Sequence, residues 1–359
     1  MGKEIMLCRS SGNLHFVAHS NRETFLSIDC LKYVDQGGER VRLTLEDKER
    51  QYRAIYEAIF ETPRISVTDI ASLLRVTRNT ASNRLNEAFS LGYLSKSQIR
   101  KRSYANMKEC VYFLTCRNPA EVFPKLLQNK DIVYHAVMSG FATLWVVAKK
   151  ECDFDCDVLV QGLRSDYHIP CAPDHSWDKA FEIMQKKVED FNPQNYEPKG
   201  FIRTHWDNPV EWDLGDETLF KEFNYDLTKP ITPIIKKYHI SWRKVEEWLK
   251  NLPDYCTVFT CFYPKTISAY DPYLYIFETD YEDFLIGLFS ELPTTSWFFK
   301  VSHRLFLYAH VKREYLRAVD SQTDIRELHF PFLVAELLRK GVIRSEAHAV
   351  VECYWNKAL

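Results

Sequence analysis

The 359-residue sequence has no apolar run near the roughly 18 residues that cross a bilayer, and its longest hydrophobic stretches are short and interrupted. No membrane partner is therefore expected. Met1 to Arg9 lacks the apolar core of a secretory signal, so the ten cysteines are expected to be reduced thiols of a cytoplasmic protein. No Gly-rich phosphate loop, nucleophile elbow or paired-carboxylate motif occurs, and no cofactor is expected. A large excess of positive charge is missing too. The formal net charge is −2, so any nucleic-acid surface must be local.

What is present is ordinary globular composition, 46% hydrophobic and 27% charged, enough for two to four domains. Residues 1–44 hold short apolar runs, Leu14 to Ala18 and Phe25 to Ile28, before a turn at Gln36 to Glu39. A β-rich arm is expected there. Tyr52, Ile55, Tyr56, Ile59 and Phe60 then recur at helical spacing, so residues 47–61 form an amphipathic helix ended by Pro63. A second helix fits Val67 to Leu74. A third runs from the N-cap Thr77 to Phe89, with Gly92 closing it. Tyr93-Leu94 and Cys110 to Leu114 flank a basic hairpin, Lys96 to Lys108. Three helices and a wing over 45–108 match a winged helix-turn-helix, whose third helix enters the major groove.

Over residues 109–172 the pattern becomes β-α-β-β-α-β. The strands are Cys110 to Cys116, Ile132 to Met138, Thr143 to Ala148 and Tyr167 to Cys171. The helices are Pro119 to Asn129 and Phe154 to Leu163. This is the ferredoxin-like order. Residues 173–216 hold a helix, Trp177 to Phe191, and a linker. The pattern then returns. Ile231 to Tyr238, the turn His239-Ile240 and Ser241 to Leu252 form a second helix-turn-helix within 217–270. Thr257 to Tyr263 and Ile267 to Tyr270 fit its wing hairpin. Over 271–331 a second ferredoxin-like unit is expected, with a helix from Lys312 to Ala318 and a last strand Arg326 to Phe330. Residues 332–359 are expected to form a helical tail, including Ala347 to Val351. The fold class is α+β, three-helix winged helix-turn-helix domains alternating with ferredoxin-like βαββαβ domains.

The segment Arg64 to Leu85 and onward through Leu94, followed by the β-α-β-β order and the Gly140 turn, resembles the Lrp/AsnC (feast/famine) transcriptional regulators. Lys236 to Leu249 is a looser second copy. The resemblance implies a helix-turn-helix joined to a ferredoxin-like effector domain of the RAM type, here internally duplicated. Two departures stand out. Arg75 and His239 replace the usual turn Gly, and Phe141-Ala142-Thr143 stand where an acidic residue is often found after the Gly140 turn.

The expected function is a sequence-specific DNA-binding regulator, not an enzyme, with double-stranded DNA and a small-molecule effector as partners and a homodimer or higher homo-oligomer as the assembly. Arg78, Asn79, Ser82, Asn83 and Asn86 would read bases. Arg84, Lys96, Arg100, Lys101 and Arg102 would hold phosphates. Residues 74–102 carry seven Lys/Arg against one acid. Glu246 and Glu247 make the second reader weaker. His135, Gly140, Phe141, His303 and His310 are the candidate effector residues. Cys152, Cys156, His168, Cys171 and His175 are a weak metal candidate, because Cys-x3-Cys is not the usual knuckle spacing. Two other readings stay open. Tetrapyrrole decarboxylases resemble this architecture, so an enzyme is one alternative. A protein-interaction scaffold that has lost DNA binding is the other.

Overall fold

The computed structural model describes residues 5–10, 13–17, 43–315 and 329–356. The chain begins with strands β1 (Ile5–Ser10) and β2 (Asn13–Val17). The expected run Phe25 to Ile28 and the turn Gln36 to Glu39 lie outside the described residues. Helices α1 (Leu45–Glu61), α2 (Val67–Leu74) and α3 (Arg78–Ser90) come next. Each starts at a hydroxyl cap. Thr44, Ser66 and Thr77 accept from the backbone N–H three residues on, satisfying a donor the helix itself leaves open. Between α2 and α3, Arg75 takes a left-handed conformation at φ 54°. Its counterpart His239 does the same at φ 55°. Two non-glycine residues thus hold the same strained turn, each at about 1 kcal/mol.

After β3 (Gln98–Lys101) come β4 (Cys110–Thr115), α4 (Pro119–Gln128), β5 (Ile132–Gly140), β6 (Leu144–Ala148) and β7 (Asp157–Leu163). Helix α5 (Trp177–Asp190) leads to the second set, α6 (Leu214–Phe223), α7 (Ile231–Tyr238) and α8 (Trp242–Tyr255). The remaining elements are β8 (Cys256–Phe259), β9 (Asp271–Glu278), α9 (Glu282–Phe289), β10 (Trp297–Val301), β11 (Arg304–Val311), α10 (His329–Arg339) and β12 (Ser345–Asn356).

Several expected elements differ. Phe154 to Leu163 is not a helix; residues 157–163 are strand β7. Val158 and Val160 favour extended backbone. Gly162 admits the β10–β11 turn so closely that a Cβ there would lie 2.6 Å from Ser302 Oγ. Tyr167 to Cys171 forms no strand and contributes one bridge, His168 to Phe298. Of the expected helix Lys312 to Ala318, a single 3-10 turn forms over Arg313–Tyr315, and residues 316–328 lie outside the described residues. At the expected strand Arg326 to Phe330, His329 and Phe330 begin α10. Ala347 to Val351 is the middle of β12, not a helix. The wing hairpins are also absent. β3 pairs instead with β8, Gln98 opposite Phe259 and Lys101 opposite Cys256. Each of these two strands, the basic β3 and the uncharged β8, finds its hydrogen bonds in the other half of the chain.

The sheet explains why. Its order is β10-β11-β9-β12-β5-β6-β4-β7. Each half alone has the ferredoxin-like order, second, third, first, fourth strand. In the first half the second helix is missing, and residues 149–156 connect β6 directly to β7. The halves meet twice. β12 pairs antiparallel with β5 from Ala349–Gly140 to Asn356–Tyr134. At the other end, Arg164 bridges Val301, His168 bridges Phe298, and Ser165 N–H donates to Lys300 O at 3.0 Å. The sheet therefore curls until its edges meet. At the first seam Gly140 sits at φ 145°, where a Cβ would lie 2.3 Å from His348 O; only glycine allows that approach.

Alternation along the strands separates the faces. Val111, Phe113, Ala136, Met138, Trp145, Leu274, Ile276, Phe299, Phe306, Ala349 and Val351 fill the interior. The outer face of the second half packs under α5, α9 and α10, and that of the first half under α4. Phe113 lies at the interior's centre, fully buried and stacked on Phe306 at 4.9 Å and Trp145 at 5.8 Å. Phe113→Ala is expected to destabilise the fold by about 3–5 kcal/mol, read as a lower urea midpoint with unchanged slope.

Candidate active site

The basic strand that was expected to face DNA lies inside the molecule. Ile99 is fully buried in the core of the second three-helix set, with Phe223, Val245 and Trp248. In exchange, Phe262 enters the core of the first set and stacks on Tyr56 at 4.8 Å. With β3 pinned this way, its cations find partners within the chain. Lys101 Nζ pairs with Glu217 and lies 4.7 Å from the Phe220 ring. Arg102 pairs with Asp166 at 2.7 Å and donates to Pro253 O at 3.0 Å. Lys96 pairs with Asp226 at 2.5 Å. Arg84, on α3, is buried and donates to Gln51 at 2.7 Å and to Glu87. Arg78, Asn79, Asn83 and Asn86 are exposed on α3, and Ser82 is half-buried.

Arg100 has the most informative position. It donates to Ile99 O at 2.8 Å and to Gln98 Oε1 at 3.1 Å. Its guanidinium lies 5.1 Å from the Tyr225 ring, 5.4 Å from Phe259 and 5.8 Å from Trp297. Trp297 belongs to β10 and leads from Arg100 to the open end of the barrel. Its ring is 6.0 Å from Tyr308 and 5.7 Å from Tyr167. Tyr308 meets Trp145 at 6.3 Å, Trp145 meets Tyr134 at 4.9 Å, and Tyr134 meets Tyr354 at 6.0 Å. These aromatics form an arc around the mouth of the barrel.

Burial raises the phenols of Tyr134, Tyr308 and Tyr167, with neighbouring tyrosines adding to it for the first two and Arg100 and Arg164 opposing it for the third. Tyr354 is pushed up to about 12 by burial and by Tyr225. All four therefore stay protonated near neutral pH. Each nevertheless keeps accessible surface, as do Trp297, Tyr225 and Arg100. The arrangement is an arc of partly exposed aromatic rings with phenolic O–H groups and one guanidinium. It suits a flat, unsaturated ligand carrying anionic groups.

The other expected site residues do not assemble. His310 stands near the mouth, buried, 5.3 Å from Tyr308 and 4.8 Å from Tyr263. Burial lowers it to about 4. His135 is on the opposite face of β5, beneath α4 and 4.3 Å from Phe123, and burial lowers it too, to about 4. His303 is exposed in the β10–β11 turn, 3.8 Å from Glu278. Gly140 belongs to the seam. Phe141 donates its N–H to His348 O at 3.1 Å and packs on Phe113.

The metal candidates scatter as well. Cys156 is bonded to Cys116 in a disulfide, which corrects the expectation that every cysteine is a free thiol. The bond ties the end of β4 to the start of β7, where the first half lacks its second helix. Cys152 is half-buried and Cys171 exposed. His168 packs against Phe201 at 4.6 Å, and His175 pairs with Glu291 at 2.9 Å. No group of three or more metal-ligating side chains occurs among the described residues. No helix among them is long and apolar enough to cross a membrane.

Sequence reasoning missed Tyr134, Tyr167, Tyr308, Tyr354 and Trp297. A signal for part of the set was present, since Phe306, Tyr308 and His310 alternate along one strand. Tyr354 was hidden in a tail expected to be helical.

No family model and no curated protein matches the chain. Two solved structures are similar, that of the siroheme decarboxylase NirDL and that of the same enzyme in co-complex with an iron-uroporphyrin III analogue. Each is 10% identical with a TM-score of 0.43. The first covers 84% of this chain and 90% of that one, the second 85% and 90%. The expectation of a non-enzymatic DNA reader is corrected here. The five cations expected to hold phosphates, Arg84, Lys96, Arg100, Lys101 and Arg102, are engaged within the chain.

Two outcomes are expected. Lys101→Ala should lower the urea midpoint, because it leaves the half-buried Glu217 carboxylate without its cation and with only the Trp212 Nε1–H donor at 2.9 Å, and should leave retention on sheared DNA at its wild-type level. Stability should also depend on His135 and His310. Both are held neutral in the fold, so the unfolded chain takes up their protons first. Folding stability should fall as pH drops from about 6.5 toward about 4. A His310→Gln variant should flatten part of that slope in a pH series of thermal melts.

Proposed function

We propose that this chain is an enzyme of the tetrapyrrole-decarboxylase type on a duplicated Lrp/AsnC-like architecture. Its substrate would be a flat, carboxylate-bearing macrocycle held at the aromatic mouth of the barrel. The observation that carries this proposal is the arc from Tyr134 and Trp145 through Tyr308 and Trp297 to Arg100. The weak likeness to the two solved structures adds nothing to it. Order of elements supports the architectural part: a three-helix set precedes a ferredoxin-like sheet in each half.

An eight-stranded barrel is just wide enough for side chains to fill, and here Phe113, Phe299, Phe306 and Trp145 fill it. A macrocycle therefore has to sit at the mouth, beside Trp297, whose ring is itself held on Phe259 of the β3–β8 ribbon at 4.6 Å. There its faces meet aromatic rings, and Arg100 provides the charge for a peripheral carboxylate. In the reaction, the bond between a side-chain methylene and its carboxylate breaks and carbon dioxide leaves. The electron pair stays on the methylene carbon, delocalised into the ring system, until that carbon takes a proton and becomes a methyl group. Exclusion of water at the mouth favours the step by withdrawing solvation from the carboxylate that is lost. The protonated phenols of Tyr134 and Tyr308 supply hydrogen bonds, and His310 beside Tyr308 is neutral.

The test is an absorption titration of the full chain with iron-uroporphyrin III, followed by mass analysis of the bound pigment. Wild type is expected to give a saturable Soret shift and a product lighter by carbon dioxide. Arg100→Gln should weaken binding about tenfold or more, as expected for loss of a charge-assisted contact. Tyr308→Phe, which preserves ring volume, should slow the loss of carbon dioxide more than it weakens binding. Absence of a saturable shift in folded wild type would overturn the proposal.

A further inference from the structure

A second concave site lies outside the barrel, on the opposite face of β9 and β12 from the aromatic mouth. It is an open groove of about 480 Å³ beneath α10, within the size range that takes one small ligand. One wall is a stripe on α10, Pro331, Val334, Ala335 and Leu338, at the i, i+3, i+4, i+7 spacing of a single helix face. Leu338 is 43% exposed there. The floor is aromatic, with Tyr275 stacked on Phe330 at 4.6 Å.

The opposite rim is charged. Glu346, His348 and Glu352 alternate along β12 and so project from one face. Glu346 Oε1 holds His348 Nδ1 at 2.8 Å. Side-chain exposure is only 14% for Glu346 against 54% for His348, so this carboxylate is drawn into the groove. Glu352 is exposed and has no ion pair among the described residues. The remaining titratable groups at the groove are Tyr273 and Tyr275 of β9. α10 and β5 contribute none, β5 giving only Ser139 and Gly140. The lining therefore carries two carboxylates, one imidazole and no lysine or arginine.

We propose that this groove binds a small amphipathic organic amine, its apolar body along the α10 stripe and its ammonium group at Glu346. Shape gives the first half of that match and charge the second. His348 sets the pH response. When protonated, it neutralises Glu346 and competes with the ligand's ammonium for that carboxylate. Affinity therefore falls as the imidazole gains its proton, and the contact with Glu346 raises the pH at which this happens.

Calorimetry of the full chain with hexylamine, hexanol and hexanoate separates the contributions. At about pH 8, hexylamine should bind saturably, about tenfold more tightly than hexanol, with hexanoate weaker still; at about pH 5.5 the amine's advantage should shrink severalfold. Glu346→Gln and Leu338→Gln should each weaken hexylamine severalfold, while Glu352→Gln, about 20 Å further along β12, should leave it unchanged and serves as the control. Equal binding of hexanol and hexylamine would overturn the proposal, as would amine binding unchanged in both Glu346→Gln and Leu338→Gln, or no saturable binding at millimolar amine. The groove is separate from the barrel mouth, so a failed porphyrin titration leaves these outcomes unaffected.

Discussion

The junction of the last segment of each half with the second strand of the other governs the rest of the molecule. A ferredoxin-like sheet standing alone leaves two edges with unpaired backbone groups. Here β12 against β5 closes one pair of edges, and the Arg164 to His168 segment against β10 closes the other. Closing the sheet puts the inner faces of both halves against each other and creates the Phe113, Phe299 and Phe306 stack. It also brings the two three-helix sets close enough to exchange core residues, Ile99 in one direction and Phe262 in the other.

That exchange determines what the basic strand can do. A wing that projects into solvent has cations available for phosphate. A wing paired with its counterpart, as β3 is with β8, has its side chains divided between two interiors. Lys101 and Arg102 then face Glu217 and Asp166. Arg100, on the alternate side, reaches the aromatic mouth. Burial lets one short strand serve both as a structural clamp and as the cationic edge of the candidate site. Local sequence charge, +6 over 74–102, does not distinguish these uses.

Local patterns in the sequence were informative where the physics is local. The caps Thr77 and Ser241 and the apolar spacing of Tyr52, Ile55, Tyr56 and Ile59 mark helices that form as expected. The left-handed turns at Arg75 and His239 are where the missing glycine placed them. What was not legible depends on distant partners. Residues 157–163 become a strand because β4 and the β10 turn flank them. Ala347 to Val351 becomes a strand because β9 and β5 leave a slot between them. The candidate site shares that limit, since Arg100, Tyr134, Tyr308 and Tyr354 are spread over more than 250 residues of the chain and converge only after closure.

The position of β12 also constrains how the chain acquires its shape during synthesis. β12 comes after every other described strand in sequence, yet it lies between β9 and β5 in the middle of the sheet. While its residues are still within the ribosome, β5 and β9 must each wait with an open edge. Each half can gather its helices, but the junction between them has to wait until β12 has left the ribosome. The interval between synthesis of β5 and its pairing spans some two hundred codons, and over that time an exposed apolar edge invites association with other nascent chains. Strand order alone sets how long that edge stays open.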